Sequence, residues 1–207
     1  MDSIIFPERV IVTDQAVDCT KLSREKKSFV LDYTRGIVDD FIISGAKRKI
    51  FGIVGPSGSG KTFLSILASE IGKQIDAHID IVPVSIDAFH FYNDYLEKNN
   101  LKEVKGRYDT YDVNELLRCL EEFRRGGAVK FPEYSRKIHD PVPEILAIGE
   151  RPTLLLLEGL WLLYDKAGWE KVNVLLDKTF YIDDVPEESM LRTVMRHMIG
   201  GKSNVEA

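Results

Sequence analysis

The sequence predicts an α/β fold of three layers, in which helices cover both faces of a mostly parallel central sheet. Three observations favour it. Apolar runs typical of buried strands alternate with amphipathic segments typical of helices. The run 153–157 is apolar after its first residue, as in a strand covered on both faces. A glycine-rich segment, 55–62, joins the first strand to a helix, and such strands connect by right-handed crossovers.

Periodicity and end signals place the elements in chain order. Residues 1–22 are expected to be irregular, after which Ser23 caps a helix that runs to Ser44 and ends at Gly45. Asp112 opens a further helix through a capping box. The polar stretch 91–111 is predicted to be a functional loop or a short helix, and 128–148, with three prolines, short strands or a hairpin. The predicted strands are 50–54, 79–86, 153–157 and 178–182, and the remaining helices are 63–71, 113–125 and 186–199.

Length and composition describe an ordinary globular chain. The 207 residues suit one α/β domain, with 1–49 as an N-terminal segment and helix packed on the core and 50–207 as the domain that carries the site. A net charge of −5 argues against a nucleic-acid binder, and no apolar run is long enough to cross a membrane. Cys19 and Cys119 are too few for a disulfide framework, which favours a reducing, cytoplasmic setting. The sequence is compatible with a homo-oligomer.

The segment 55–62 matches G-x-x-x-x-G-K-[ST] at every fixed position and lies between a strand and a helix, as a phosphate-binding loop must. Its glycines let backbone N–H groups surround phosphates, and the following helix adds its dipole. Lys61 is expected to reach the β- and γ-phosphates, and the Thr62 hydroxyl to bind Mg²⁺. The predicted nucleotide-binding residues are Gly55, Pro56, Ser57, Gly58, Ser59, Gly60, Lys61, Thr62 and Phe63.

Two acids follow apolar strands, where a parallel sheet binds its ligands. Asp87 follows the second strand and is suited to accept a proton from an acceptor hydroxyl beside a γ-phosphate. Glu158 follows the third strand and is suited to hold Mg²⁺, directly or through water. The alternatives are a helix cap or solvated turn for Asp87 and an ordinary loop carboxylate for Glu158.

Together these segments resemble the uridine kinase, phosphoribulokinase and bacterial-type pantothenate kinase superfamily. The resemblance runs from about residue 50 to 199 and implies a P-loop NTPase fold with a helical lid near the C-terminus, with ATP and Mg²⁺ as cofactors. Beyond the phosphate loop it depends on four segments: Ser85-Ile86-Asp87-Ala88-Phe89-His90, Lys105-Gly106-Arg107-Tyr108-Asp109-Thr110-Tyr111-Asp112, Phe131-Pro132-Glu133-Tyr134-Ser135-Arg136 and Leu157-Glu158-Gly159-Leu160-Trp161-Leu162-Leu163.

The resemblance implies a role for each matching residue. Asp87 is the catalytic base, and Lys61 holds the phosphates. Arg192 and Arg196, four residues apart on one helix face, belong to the lid and neutralise transition-state charge; a solvated helix face is the alternative. Thr62 and Glu158 hold the metal. The implied acceptor-binding residues are Asp87, His90, Lys105, Arg107, Tyr108, Tyr134, Arg136 and His139.

The sequence therefore predicts an ATP-dependent kinase that phosphorylates a hydroxyl of a small molecule. A nucleoside-like acceptor is expected from Tyr134 and His139, with pantothenate or a sugar as alternatives within the superfamily. Hypotheses from other classes are a P-loop ATPase or switch without an acceptor and a non-catalytic nucleotide-binding scaffold. Related proteins have a fifth strand after the lid, whereas this sequence ends at Ala207. Either that strand is missing from this sequence or the adenine pocket is built differently.

Overall fold

A computed structural model of the chain describes residues 4–12, 15–185, 187, 189, 190 and 193. From residue 24 onwards, at least one helix lies between each two successive strands of the central sheet. The helices and strands of the whole described chain are as follows. In chain order they are β1 (Arg9–Val12), β2 (Gln15–Asp18), α1 (Arg24–Ser44), β3 (Arg48–Val54), α2 (Lys61–Ile75), β4 (Asp80–Ser85), α3 (Asn93–Lys98), α4 (Val113–Arg125), β5 (Val129–Ser135), β6 (Asp140–Ile148), β7 (Thr153–Gly159), α5 (Trp169–Val174) and β8 (Lys178–Tyr181).

The central sheet has four parallel strands in the order β4-β7-β3-β8. Strand β7 lies between β4 and β3, with Glu158 opposite Ser85 on one side and Ile53 on the other. The carboxyl ends of these three strands therefore meet at one edge. The phosphate loop and the segment that carries Asp87 both start from this edge.

Side chains of the inner strands alternate between two apolar layers. Leu154 and Leu156 of β7 pack with α1 and α2, whereas Leu155 and Leu157 pack with α4 and α5. All four leucines are fully buried, as expected of a strand covered on both faces. The predicted three-layer α/β fold with a parallel sheet is confirmed.

The predicted caps form at Ser23, Asp112 and Gly45. The reciprocal half of the capping box does not form, because the Asp112 N–H donates to the Phe89 carbonyl oxygen and Glu115 binds Arg118. The Ser23 Oγ accepts a hydrogen bond from the Lys26 N–H at 3.3 Å, and the Asp112 Oδ1 accepts one from the Glu115 N–H at 3.0 Å. Gly45 ends α1 in the left-handed conformation, with φ of 63°.

Residues 1–22 are not irregular throughout, which corrects the prediction. Strands β1 and β2 form an antiparallel hairpin, and residues 19–21 form a turn of 3₁₀ helix. Val10 and Cys19 are buried against Leu64, Leu67 and Ile71, which lie on α2. Four-residue strands are too short to show a period in the sequence, so tertiary packing on α2 determines this region.

The segment 128–148 forms the hairpin that was one of its two predicted alternatives. Within the part of the chain that the structure describes, its strands β5 and β6 pair only with each other, and the register shifts between Phe131 and Glu133, at Pro132. Proline has no N–H to donate, so a bulge in a two-stranded hairpin accommodates it. In the polar stretch 91–111, the short-helix alternative is the one observed, as α3 and two short 3₁₀ helices.

The predicted C-terminal helix, 186–199, is described only at Glu187, Ser189, Met190 and Thr193, and all four are helical. Arg192 and Arg196 lie outside the described residues. Among the residues that the structure describes, no helix has the length and apolar character needed to cross a membrane.

Candidate active site

The phosphate loop connects the end of β3 to the first turn of α2. Gly58 and Gly60 have φ of 79° and 90°, the left-handed region that favours glycine. Lys61 is the first residue of α2 and is only 8% exposed. Its Nζ donates to the carbonyl oxygens of Gly55 at 3.0 Å and Pro56 at 2.8 Å. The ammonium is thus held inside the curve of the loop, where phosphate oxygens would bind.

The C-terminal helical residues lie against this loop. The Thr193 hydroxyl is 3.3 Å from the Ser57 Oγ. Gly58 approaches Ser189 so closely that a Cβ added to it would overlap the Ser189 carbonyl oxygen. The helix predicted to be a lid therefore contacts the phosphate loop directly.

Glu158 lies between the two strands that carry the phosphate loop and Asp87. Its Oε1 accepts a hydrogen bond from the Thr62 hydroxyl at 2.8 Å, and the residue is 4% exposed. Burial raises the pKa of Glu158 and the negative charge of Asp87 adds to this, while Lys61 and hydrogen bonds from Ser85 and Thr62 oppose it. Thr62 and Glu158, predicted to hold a metal, are therefore brought into contact.

Asp87 lies two residues beyond β4 in a 3₁₀ turn, Ile86–Phe89, whose N-terminus is capped by Ser85. Its Oδ2 accepts a hydrogen bond from the Arg136 Nη2 at 3.2 Å, and its Oδ1 lies 3.5 Å from the Tyr111 hydroxyl. Because strand order places β4 beside β7, Asp87 is close enough to Glu158 for their charges to interact. The carboxylate thus pairs with the hairpin on one side and lies near Glu158, which contacts the phosphate loop at Thr62.

His90 is buried against two tyrosines at the same edge. Its ring centroid is 3.9 Å from that of Tyr111 and 5.7 Å from that of Tyr134, and its Nδ1 lies 2.9 Å from the Asp87 carbonyl oxygen. Burial lowers the pKa of His90, although the Asp87 charge partly opposes this. The imidazole is therefore neutral near pH 7. Burial also raises the pKa of Tyr134, to about 12, so this phenol keeps its proton.

Lys105 joins α3 to the hairpin. Its Nζ donates to the Asn93 Oδ1 at 2.8 Å and the His139 carbonyl oxygen at 2.6 Å, and it lies 3.4 Å from the Asp140 Oδ1. The ammonium also lies 5.4 Å from the centre of the Tyr134 ring. Burial lowers the pKa of Lys105, and the Asp140 charge opposes this.

Three of the predicted acceptor residues have other described contacts. The Arg107 guanidinium pairs with both oxygens of Asp109 at the surface. The Tyr108 ring packs against the rings of Trp161 and Tyr164, with centroids 5.8 Å and 4.8 Å away. His139 has φ of 54° and contributes its backbone carbonyl oxygen to Lys105. Their acceptor roles stay predictions.

Several site residues were not assigned from the sequence. Tyr111 reaches Asp87 because backbone bonds from Phe91 to Thr110 and from Asp112 to Phe89 pair its segment with 89–91. The sequence signal for Tyr111 was its position near the end of 105–112, one of the segments that carry the family resemblance. Asn93 and Asp140, which fix Lys105, are 47 residues apart, and no sequence pattern connects them.

A cavity of about 690 Å³ lies between α4 and the hairpin. His90 lines it, but Asp87 and the residues of the phosphate loop do not. Charged side chains around it pair with one another, for example Lys130 with Glu144 at 3.0 Å. The strand ends, which carry the phosphate loop and Asp87, are therefore the better candidate for chemistry.

Comparisons with known proteins agree with this geometry. The Escherichia coli K12 protein YggC is 28% identical over 159 residues, which are 77% of this chain and 66% of YggC. A pantothenate kinase from Streptococcus agalactiae is 33% identical over 139 residues, which are 65% of this chain and 44% of that enzyme. The chain thus spans less than two thirds of the length of either relative.

The fold also matches a solved structure. A candidate fructose transport system kinase from Silicibacter sp. TM1040 superimposes with a TM-score of 0.73 at 21% identity, over 85% of this chain and 84% of that one. The family model described as phosphoribulokinase / uridine kinase family matches residues 50–203. That range contains the phosphate loop, the Asp87 turn, the hairpin and Glu158, and the chain belongs to the phosphoribulokinase/uridine kinase family of P-loop kinases.

Proposed function

We propose that this chain transfers the γ-phosphate of ATP to a hydroxyl group of a small molecule. The observation that carries the proposal is the position of Asp87 at the strand end near Glu158, whose carboxylate contacts Thr62 of the phosphate loop. A carboxylate there can take the proton of a hydroxyl that faces the γ-phosphate. A nucleotide-hydrolysing switch does not need the side chains that surround Asp87 on its other side.

The reaction then needs one proton transfer and one displacement. Asp87 accepts the proton of the acceptor hydroxyl while the hydroxyl oxygen forms a bond to the γ-phosphorus. The bond between that phosphorus and the bridging oxygen to the β-phosphate breaks, and ADP leaves. Lys61 and the loop N–H groups hold the phosphates in place, so positioning and electrostatics supply most of the rate.

The contact between Thr62 and Glu158 fits a magnesium site. Both supply oxygen atoms, which Mg²⁺ prefers, and nucleotide phosphates commonly complete its coordination. Among the described residues there is no cluster of three or more His, Cys, Asp or Glu side chains that could hold a metal ion. Bound Mg²⁺ would neutralise charge on the β- and γ-phosphates.

The lid role of Arg192 and Arg196 is part of the proposal. The contact between Thr193 and Ser57 supports it, because it sets the same helix on the phosphate loop. Positive side chains from that helix would neutralise the charge that develops on the phosphoryl group during transfer.

For the acceptor, the nucleoside prediction draws its support from Tyr134 and the pantothenate alternative from the pantothenate kinase similarity. The test is to incubate the protein with ATP, Mg²⁺ and each member of a panel of nucleosides, pantothenate and sugars. ADP release is measured, and the product is identified by its mass. We expect ADP release that depends on one acceptor and forms its phosphate ester. Lys61→Ala should abolish it, and Lys73→Ala, at an exposed position of α2, should not. ADP release that is independent of every acceptor would contradict the kinase proposal.

A further inference from the structure

Arg136 is held beside Asp87 but uses only part of its hydrogen-bonding capacity there. Its Nη2 donates to the Asp87 Oδ2 at 3.2 Å, and its guanidinium carbon lies 5.5 Å from the centre of the Tyr134 ring. Its Nε is buried and has no hydrogen-bond partner among the described residues. A buried donor of a charged group that lacks an acceptor destabilises the protein, because it has given up its hydrogen bonds to water without replacing them. An acceptor atom is therefore expected beside it in the working complex.

In two other arginines of this molecule, the guanidinium edge formed by Nε and Nη2 donates to both oxygens of one carboxylate. Arg107 donates from Nε and Nη2 to the two oxygens of Asp109 at 2.6 and 2.7 Å. Arg118 does the same to Glu115 at 2.7 and 2.5 Å. This two-point contact is the arrangement that a planar guanidinium favours with a carboxylate. At Arg136 the edge is half used, because Asp87 contacts only the Nη2.

The remaining charges around Tyr134 favour an anion at this position. Lys105 lies 5.4 Å from the Tyr134 ring centre, so two cations flank one aromatic ring. Lys105 is fixed by Asn93, His139 and Asp140, whereas Arg136 retains an open donor. His90 is neutral and therefore adds no charge.

We propose that the acceptor is a hydroxy acid, whose carboxylate binds the Nε and Nη2 edge of Arg136 while its hydroxyl faces Asp87. The inference rests on the proposed kinase function and names the class of its acceptor. As the carboxylate binds, it replaces Asp87 at the Nη2. Asp87 is then free to accept the hydroxyl proton. A neutral alcohol lacks the group needed to make this exchange and leaves Asp87 paired with Arg136.

The test compares acids with neutral alcohols that differ only at the carboxylate. The probes are pantothenate against panthenol and glycerate against glycerol, each with ATP and Mg²⁺. We expect kcat/KM for at least one acid to exceed that of its neutral partner by about 30-fold or more, the range for a buried charge pair. Arg136→Gln should reduce this ratio to about threefold or less, and Arg136→Lys should retain part of it.

Arg118→Gln, which breaks a two-point pair on α4, is the matched control and should leave the ratio unchanged. Equal rates for acid and alcohol, or an Arg136→Gln protein that keeps the full ratio, would overturn the inference. Phosphorylation of neutral nucleosides or sugars alone would overturn it while the kinase proposal stands. ATP binding without transfer to any of these compounds would overturn both.

Discussion

The two ends of the candidate site are built in different ways. The phosphate end is eight consecutive residues, 55–62, whose backbone curves around a single lysine. The acceptor end collects side chains from three distant segments, which contribute Asp87 and His90, Tyr111 and Lys105, and the hairpin residues. The first depends on local sequence, and the second depends on how β4, α3 and the hairpin pack.

This difference separates the expected effects of substitutions. Changes in the loop should act on nucleotide binding, whatever the acceptor. Changes around Asp87 should act on transfer and on the choice of acceptor while nucleotide binding persists. The predictions below test this separation, beginning with the largest effect.

Gly58→Ala should damage the phosphate end most. A non-glycine residue at φ of 79° is strained by about 1–3 kcal/mol. The new methyl group would also overlap the Ser189 carbonyl oxygen. We expect ATP affinity, measured by calorimetry, to fall about 100-fold, the equivalent of about 2.7 kcal/mol.

Gly36→Ala in α1 is the matched control, because a Cβ there meets no atom within 4 Å. It should leave ATP affinity unchanged and raise the free energy of unfolding by about 0.5–1 kcal/mol. Wild-type ATP affinity in the Gly58 variant would show that loop shape is not what binds phosphate.

Glu158→Gln should separate activity from stability. Burial raises the pKa of Glu158, so an uncharged amide that still accepts from Thr62 should maintain or increase the free energy of unfolding, by about 1 kcal/mol. Transfer should fall about 30-fold, the effect of losing a charged contact of about 2 kcal/mol. Chemical unfolding and steady-state kinetics measure the two effects. Glu150→Gln, at an exposed position, is the control, and unchanged turnover in the Glu158 variant would remove its metal role.

Tyr111→Phe should have a smaller effect on the acceptor end. The hydroxyl is 3.5 Å from the Asp87 Oδ1, whereas the ring keeps its contacts with His90 and Trp169. We expect kcat/KM for the acceptor to fall about fivefold, consistent with one hydrogen bond of about 1 kcal/mol. ATP affinity should not change. Tyr95→Phe on α3 provides the comparison, and a weaker ATP affinity for the Tyr111 variant would contradict the separation of the two ends.

His90 should make stability depend on pH. Its pKa in the folded protein lies below the usual 6.5, so the unfolded chain binds more protons as the pH falls. The stability from the neutral imidazole is complete above pH 6.5 and is lost as the pH falls through the folded-state pKa. The free energy of unfolding, measured with urea at pH values between 7.5 and 5, should therefore depend less steeply on pH in His90→Gln than in wild type. His78→Gln, at an exposed position, should keep the wild-type pH dependence. An equal pH dependence in all three proteins would contradict the role given to His90.

The phosphate end and the sheet were predictable from the sequence because their signals are local. The fixed positions of the loop, the apolar run 153–157 and the cap at Asp112 each require only neighbouring residues. Asp87 and Glu158 were each predicted to lie at a strand end because each follows an apolar run, whereas the adjacency of the two strands was not predicted. The structure confirms the fold and brings these groups together.

The acceptor end was less predictable because its contacts join residues that are far apart in the chain. The sequence marks Arg136 but not its bond to Asp87, which is 49 residues away. It contains Asn93 and Asp140 but nothing that connects either to Lys105. His139 was expected to act through its side chain, and its described contact with Lys105 is made by its backbone. Such pairings depend on the hairpin packing, which no local pattern encodes.

The most direct test of the central claim is to measure single-turnover transfer and ATP affinity together in Asp87→Asn. Asparagine keeps the size of the side chain but cannot accept the acceptor proton as a carboxylate does. We expect a transfer rate at least about 10²-fold lower than that of wild type, which is the lower range for general-base catalysis. The ATP dissociation constant should stay within about threefold of wild type. Asp165→Asn should match wild type in both. Unchanged transfer in Asp87→Asn would contradict the account.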